Sequence, residues 1–167
     1  MEERRASGVA AGLARAIPLG VYFATLCPTV YVGDSGEMVA LAHTLGVAQP
    51  TGFPLYCLLG KIATLIPLGS YAARVNALSA LSLAVAGLAI YRLLARVTRP
   101  GVALAGRLTF TLGQTAWSPA PIARTYPLTL ALTAVVLDLA LTCAPRPGQR
   151  RFLGAALISG FALGTHL

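Results

Sequence analysis

Two acidic residues lie three positions apart in one short stretch, where their carboxylates could take part in catalysis. Asp34 and Glu37 both belong to residues 33–37, and they are two of only five acidic residues in the chain of 167. A carboxylate at the edge of an apolar segment can act as a general base, taking a proton from a hydroxyl group as that oxygen attacks an activated sugar. We therefore predict Asp34 and Glu37 as candidate catalytic residues.

The same spacing also fits the start of a helix. Asp-x-x-Glu before the apolar residues 38–41 is a capping-box pattern, in which Asp34 accepts a backbone hydrogen bond and Glu37 reaches back. The two interpretations are compatible, because a cap can also hold a carboxylate in a fixed orientation. The sequence leaves both open.

Two arginines are candidates for binding the phosphate of an activated substrate. Arg74 and Arg124 lie at the ends of apolar segments, on the side predicted below to carry Asp34. A guanidinium group there can neutralise a phosphate leaving group. The alternative is that both residues simply anchor their segments at the membrane interface.

Composition restricts the kind of protein that positions these residues. The chain is 56% hydrophobic and only 11% charged, with a mean hydropathy of +0.73. A soluble domain is about one quarter charged, so this chain lacks the polar residues to cover a water-facing surface. The net charge of +8 comes from arginines between apolar runs, as in membrane proteins, and the aromatic pattern of a nucleic-acid binder is absent.

The apolar pattern predicts an all-α, polytopic bundle of about five transmembrane helices in a single membrane domain, residues 1–167. The predicted spans are residues 13–32, 74–94, 101–117, 122–143 and 152–167. Residues 55–66 are apolar but too short to cross a bilayer, which predicts an interfacial or re-entrant helix within a loop of residues 33–73. The last apolar run reaches residue 167 without a flanking polar residue or a helix cap. We therefore expect the chain to be the front part of a longer module.

The arginines also predict the orientation. Arg92, Arg96 and Arg99 lie at or just after the end of the second predicted span, and a further cluster, residues 146–151, follows the fourth. The positive-inside rule places both clusters and the N-terminus in the cytoplasm, which leaves residues 33–73 extracytoplasmic. The abundance of arginine, alanine and leucine favours a GC-rich bacterial genome and hence a bacterial inner membrane.

Other polar residues receive structural interpretations. Asp138 lies inside a predicted span at the depth of Arg107, so we expect an ion pair or a headgroup contact that holds the bundle. Cys27, Cys57 and Cys143 show no metal-ligand spacing, and isolated apolar cysteines are favoured over a disulfide between Cys27 and Cys57. The sequence predicts neither a metal site nor a resident cofactor, and leaves dependence on a divalent metal open.

Several stretches together resemble a known family. They are TVYVGDSGE (residues 29–37), the run from residue 45 to residue 81 that contains PTGFPL, AWSPAPIARTYPL (116–128) and LGTHL (163–167). The family was long defined only as a domain of unknown function. It includes a eukaryotic secretory-pathway protein O-mannosyltransferase and has the GT-C glycosyltransferase fold.

The resemblance implies transfer of a mannose-like sugar from a polyprenyl-phosphate carrier to a protein or glycan acceptor on the extracytoplasmic face. Asp34 occupies the position of the family's presumed base, and Arg74 opens the second span as in GT-C enzymes. The family's usual histidine before the prolines is Gln49 here, which makes Gln49 a further candidate for substrate binding. The family's acid before the later tyrosine is Arg124, which reverses a charge near the site.

Two other functions stay open at this point. A non-catalytic membrane subunit or remnant would use the acidic motif only as a helix cap. A transporter would need ionisable residues near the middle of the membrane and matching broken helices, neither of which the sequence suggests. Besides the lipid-linked sugar and its acceptor, membrane lipids are the expected partners, and nucleic acid is not.

Overall fold

The structure is a computed structural model that describes residues 12, 16–47, 52–143 and 148–165, and all of the secondary structure in these ranges is helical. The first helix, α1, is described over residues 16–24. It is followed by α2 (Ser35–Thr44), α3 (Pro54–Thr64), α4 (Tyr71–Leu94), α5 (Pro100–Leu112), α6 (Gln114–Trp117), α7 (Tyr126–Cys143) and α8 (Gln149–Leu163). The predicted all-α class is therefore confirmed for the described ranges.

Helix α4 is the centre of the bundle and packs against α2, α3, α5 and α7. It begins at a serine cap, where Ser70 Oγ accepts a hydrogen bond from the Ala73 amide at 3.1 Å. Its closest partner is α7, and a cluster of buried alanines joins the two helices: Ala86, Ala89, Ala131 and Ala134. Small side chains let two helices approach closely, which is how helices associate in a membrane.

Within the described ranges, two helices are long and apolar enough to cross a bilayer. They are α4, with 24 residues, and α7, with 18. In a chain with so few charged residues, such helices indicate a membrane protein. Helix α8 is apolar from Phe152 to Leu163 but shorter.

The segment after α1 differs from the prediction of one span over residues 13–32. The helix ends at residue 24, and residues 26–34 form no helix. Pro28 has no amide hydrogen to continue a helix. The Asn76 side-chain amide of α4 instead donates to the carbonyls of Cys27 and Thr29, at 2.7 and 3.1 Å. This irregular segment is therefore fastened to α4 and leads directly to Gly33.

The predicted span over residues 101–117 is also interrupted. Helix α5 ends at Leu112, because Gly113 adopts an extended backbone with ψ 143° before the short α6 begins. The Tyr22 hydroxyl of α1 donates to the Thr111 carbonyl at 2.7 Å near this break. The extended backbone at Gly113 interrupts the hydrogen bonds of the helix. A count of apolar residues does not detect such an interruption.

Asp138 forms an ion pair as expected, but not with Arg107. Its carboxylate contacts Arg92 Nε at 3.1 Å and Arg96 Nη2 at 2.6 Å, both near the end of α4. Arg107 is fully buried and donates to the Ala84 carbonyl at 3.1 Å. Gly87 makes this possible, since a Cβ there would lie 3.0 Å from the Arg107 guanidinium carbon.

Candidate active site

Asp34 lies at the first turn of α2, where the irregular segment after α1 enters the helix. Gly33 has a φ of +86°, a left-handed conformation that glycine adopts without strain. Asp34 is the residue before the helix, but its side chain makes no capping hydrogen bond. The capping-box interpretation is therefore wrong for Asp34. Its carboxylate turns toward another part of the chain.

The partner of Asp34 is Arg124, 90 residues later in the sequence. Arg124 Nη1 donates to Asp34 Oδ2 at 2.8 Å. A Cβ at position 33 would lie 3.3 Å from Arg124 Nη2, so the glycine also leaves room for the guanidinium group. Two distant candidate residues are thus brought into direct contact.

Ser79 of α4 fixes the backbone of Arg124. The Ser79 hydroxyl accepts from the Arg124 amide at 3.1 Å and lies 3.2 Å from the Arg124 carbonyl, to which it can donate. Ser79 is buried, and Arg124 is followed two residues later by the start of α7. The arginine is consequently held at the junction of α4 and α7, facing the first turn of α2.

An open cavity of about 160 Å³ lies beside the ion pair. It is lined by Asp34, Glu37, Met38, Phe53, Arg124, Thr125 and Tyr126. Its wall carries two carboxylates, one guanidinium group and two aromatic rings. Carboxylates, a cation and aromatic faces are the groups that can bind a sugar phosphate and move a proton.

Phe53 lines this cavity and has an unusual backbone conformation. Its φ of 42° and ψ of 51° are left-handed, which is uncommon for a bulky aromatic residue. Such conformations persist only where surrounding structure enforces them, and they concentrate at functional sites. Phe53 directly precedes Pro54, which starts α3.

The floor of the cavity is a packed core. Met38 lines the cavity and also belongs to a buried cluster with Tyr56, Val75 and Leu128 from three other helices. Burial raises the pKa of the Tyr56 phenol far above its usual value, so that this hydroxyl stays protonated at neutral pH. Tyr56 is therefore not a proton acceptor at neutral pH.

Arg74 lies outside this cavity. Its guanidinium group donates to the carbonyls of Thr64, Leu68 and Gly69, each at 2.8 Å, and it stacks over the Tyr71 ring at 5.0 Å. These contacts close the loop between α3 and α4. Arg74 also borders a separate apolar groove of about 440 Å³ between α1, α3 and α4. Its role in phosphate binding stays a prediction.

The remaining predicted residues separate into two groups. Glu37 shares the cavity with Asp34 and Arg124, whereas Gln49 lies outside the described residues.

Cys27, Cys57 and Cys143 are free thiols, which agrees with isolated apolar cysteines. Among the described residues, no three His, Cys, Asp or Glu side chains come close enough together to hold a metal ion.

Sequence reasoning missed several residues of this site. Ser79 has no recognisable signal, because a serine inside an apolar helix is ordinary. Phe53 lies in a run of proline, glycine and aromatic residues, and Tyr126 closely follows Arg124 in an aromatic and proline-rich stretch. Those two local patterns could have identified the cavity wall.

Comparison with known proteins assigns the family. The family described as "Protein O-mannosyl-transferase TMEM260 N-terminal domain" matches residues 34–167, which begin at Asp34 and include the whole cavity. The chain belongs to this TMEM260 N-terminal domain family. Its family resemblance, predicted from the acidic motif and the proline-rich stretches, is confirmed.

Two members of known name are similar to this TMEM260-family chain. "Protein O-mannosyl-transferase TMEM260" of Mus musculus is 33% identical over 151 residues, covering 88% of this chain and 21% of the mouse protein. "Protein O-mannosyl-transferase tmem260" of Dictyostelium discoideum is 38% identical over 74 residues, 42% of this chain and 9% of that protein. The chain thus spans about a fifth of the length of the mouse relative. No solved structure matches it significantly.

Proposed function

We propose that the chain is the catalytic front part of a GT-C-like glycosyltransferase. It moves a mannose-like sugar from a polyprenyl-phosphate carrier to a hydroxyl group of a protein or other acceptor. The observation that carries the proposal is the shared cavity of Asp34, Glu37 and Arg124. The names of the mouse and Dictyostelium relatives, both protein O-mannosyl-transferases, support the class of reaction.

The proposed step uses Asp34 as the general base. The acceptor hydroxyl gives its proton to the Asp34 carboxylate while its oxygen bonds to the anomeric carbon of the sugar. The bond from that carbon to the phosphate oxygen breaks, and the phosphate leaves with the electron pair. Glu37 orients the acceptor or supports Asp34, and arginine neutralises the departing phosphate.

The membrane gives this site its substrate. We place the chain as a multi-pass protein of a bacterial inner membrane, with the N-terminus cytoplasmic, about five spans and residues 33–73 extracytoplasmic as a juxtamembrane helix pair. The exposed apolar residues of α3 and the residue after it, including Leu58, Ile62 and Leu65, support contact of this pair with lipid. A lipid-linked donor then reaches the cavity without leaving the bilayer.

A non-catalytic subunit or remnant is the second candidate. The observation in its favour is that the Asp34 carboxylate already has a structural partner, the Arg124 guanidinium group at 2.8 Å. Its expected helix cap is missing, however, since Asp34 makes no capping hydrogen bond. The two candidates differ in whether the Asp34 carboxylate is needed for transfer.

The test compares Asp34→Asn and Asp34→Glu in membranes supplied with polyprenyl-phosphate-mannose and a hydroxyl acceptor. Loss of a general base lowers a rate by about 10²–10⁴-fold, so Asp34→Asn should lose transfer while inserting normally. Asp34→Glu retains a carboxylate and should keep part of the activity. Transfer by Asp34→Asn at the wild-type rate refutes the proposal.

A further inference from the structure

The ion pair at the proposed site has a geometry suited to exchange. Arg124 contacts Asp34 through one nitrogen and one oxygen, Nη1 and Oδ2, at 2.8 Å. Guanidinium groups bind phosphate most strongly through two parallel hydrogen bonds, which a single contact of this kind does not use. The Asp34–Arg124 pair is therefore a weaker arrangement than the one a phosphate offers.

Solvent further weakens this pair. The Asp34 side chain is 66% exposed and the Arg124 side chain 27%. Ion pairs in such surroundings change an equilibrium constant by at most about fivefold. A bound phosphate can consequently displace the carboxylate at small cost.

The backbone of Arg124 is held by Ser79, and its side chain lines the open cavity. Ser79 holds both the amide and the carbonyl of Arg124, at 3.1 and 3.2 Å. Gly33 places no side chain beside the guanidinium group. A change of partner therefore requires rotation of one side chain and no movement of a helix.

We propose that Arg124 changes partners during the reaction: it holds Asp34 before the donor binds and releases it when the phosphate of the lipid-linked donor binds. The inference rests on the proposed function, because it takes a polyprenyl phosphate as the ligand. Phosphate binding and release of Asp34 are one event. Asp34 becomes free to accept the acceptor's proton only when a donor is present, so the exchange couples proton acceptance to donor binding.

Glu37 provides a matched control for this exchange. It lines the same cavity and carries the same charge as Asp34, but forms no ion pair within the described part of the chain. Removing either carboxylate reduces repulsion of a phosphate. Removing Asp34 additionally frees Arg124.

The experiment measures binding of farnesyl phosphate to the full chain in lipid nanodiscs, with farnesol as the probe that lacks phosphate. Asp34→Asn, Glu37→Gln and Arg124→Gln are compared singly, and each carboxylate variant is also combined with Arg124→Gln. We expect Asp34→Asn to tighten farnesyl phosphate binding up to about fivefold. In the Arg124→Gln background this gain should shrink to the smaller effect of reduced repulsion, comparable to that of Glu37→Gln. The effect of Glu37→Gln should be the same in both backgrounds.

Three results would overturn the inference. They are equal effects of Asp34→Asn with and without Arg124, unchanged affinity in Arg124→Gln, and binding of farnesyl phosphate no tighter than that of farnesol. Arg124→Lys guards against misfolding, because it keeps the charge and should keep part of the coupling. Farnesyl phosphate binding is measured separately from sugar transfer. If Asp34 and Arg124 are coupled in binding but no sugar is transferred, only the proposed function is refuted. If sugar is transferred but the two residues are not coupled in binding, only the exchange of partners is refuted.

Discussion

At the scale of single residues, the site depends on contacts between residues far apart in sequence. Asp34 and Arg124 are 90 positions apart, and Ser79 lies between them in the chain. The two charged residues could be named from sequence because each lies at the end of an apolar run. Their contact could not, because it depends on the packing of α2 against the junction of α4 and α7.

Ser79→Ala tests whether the arginine must be positioned by its backbone. The substitution leaves the amide and carbonyl of Arg124 without this partner, which should lower the free energy of unfolding by about 1–3 kcal/mol. Transfer should fall as well, because Arg124 is no longer held toward Asp34. Thermal unfolding in detergent and the transfer assay measure both effects.

Ser82→Ala is the control one turn away on the same helix. The Ser82 hydroxyl bonds only to the Leu78 carbonyl within α4, at 2.7 Å, so its loss should change little. Equal effects of the two substitutions on stability and transfer would contradict the positioning role of Ser79.

At the scale of helices, α2 and α3 pack at a point where a side chain does not fit. A Cβ on Gly60 of α3 would lie 2.6 Å from the Cβ of Ala42 in α2. Helix α2 begins directly after Asp34, so this contact sets the position of the acidic turn. Gly60 is therefore required for the approach of the two helices.

Gly60→Ala should destabilise the protein by about 1–3 kcal/mol, the usual cost of overpacking a buried contact. Removing the opposing methyl group in the double variant Gly60→Ala with Ala42→Gly should restore much of the loss. Gly160→Ala on α8, where a Cβ meets nothing within 4 Å, is the control. A Gly60→Ala variant as stable as Gly160→Ala in a thermal melt would show that the helices can separate freely.

The sequence predicted the long helices better than their interruptions. Apolar length identified α4 and α7, and the predicted starts at residues 74 and 122 differ from Tyr71 and Tyr126 by a few positions. The irregular segment around Pro28 and the break at Gly113 were missed. Both depend on tertiary hydrogen bonds or a single backbone angle, which apolar periodicity does not encode.

At the scale of the whole molecule, the proposed topology places the acidic turn and the arginine-rich loop after α4 on opposite sides of the membrane. Val32 and Val97 report these two positions, since their side chains are 83% and 81% exposed. Val32 precedes Asp34, and Val97 lies between Arg96 and Arg99. The positive-inside rule predicts that Val97 is cytoplasmic.

Single cysteines at these positions test the orientation. In a background whose natural cysteines at positions 27, 57 and 143 are replaced by alanine, Val32→Cys should react with an impermeant maleimide in intact cells. Val97→Cys should react only after the membrane is opened. Labelling of both from outside, or the reverse order, would contradict the proposed topology.

The Asp34 carboxylate is proposed to accept the proton of the acceptor hydroxyl and not to bind the donor. The most direct measurement follows transfer from polyprenyl-phosphate-mannose and binding of farnesyl phosphate in the same preparation of Asp34→Asn. We predict that transfer falls about 10²–10⁴-fold while binding is kept or tightened. Transfer at the wild-type rate, or a loss of binding that matches the loss of transfer, would contradict the account.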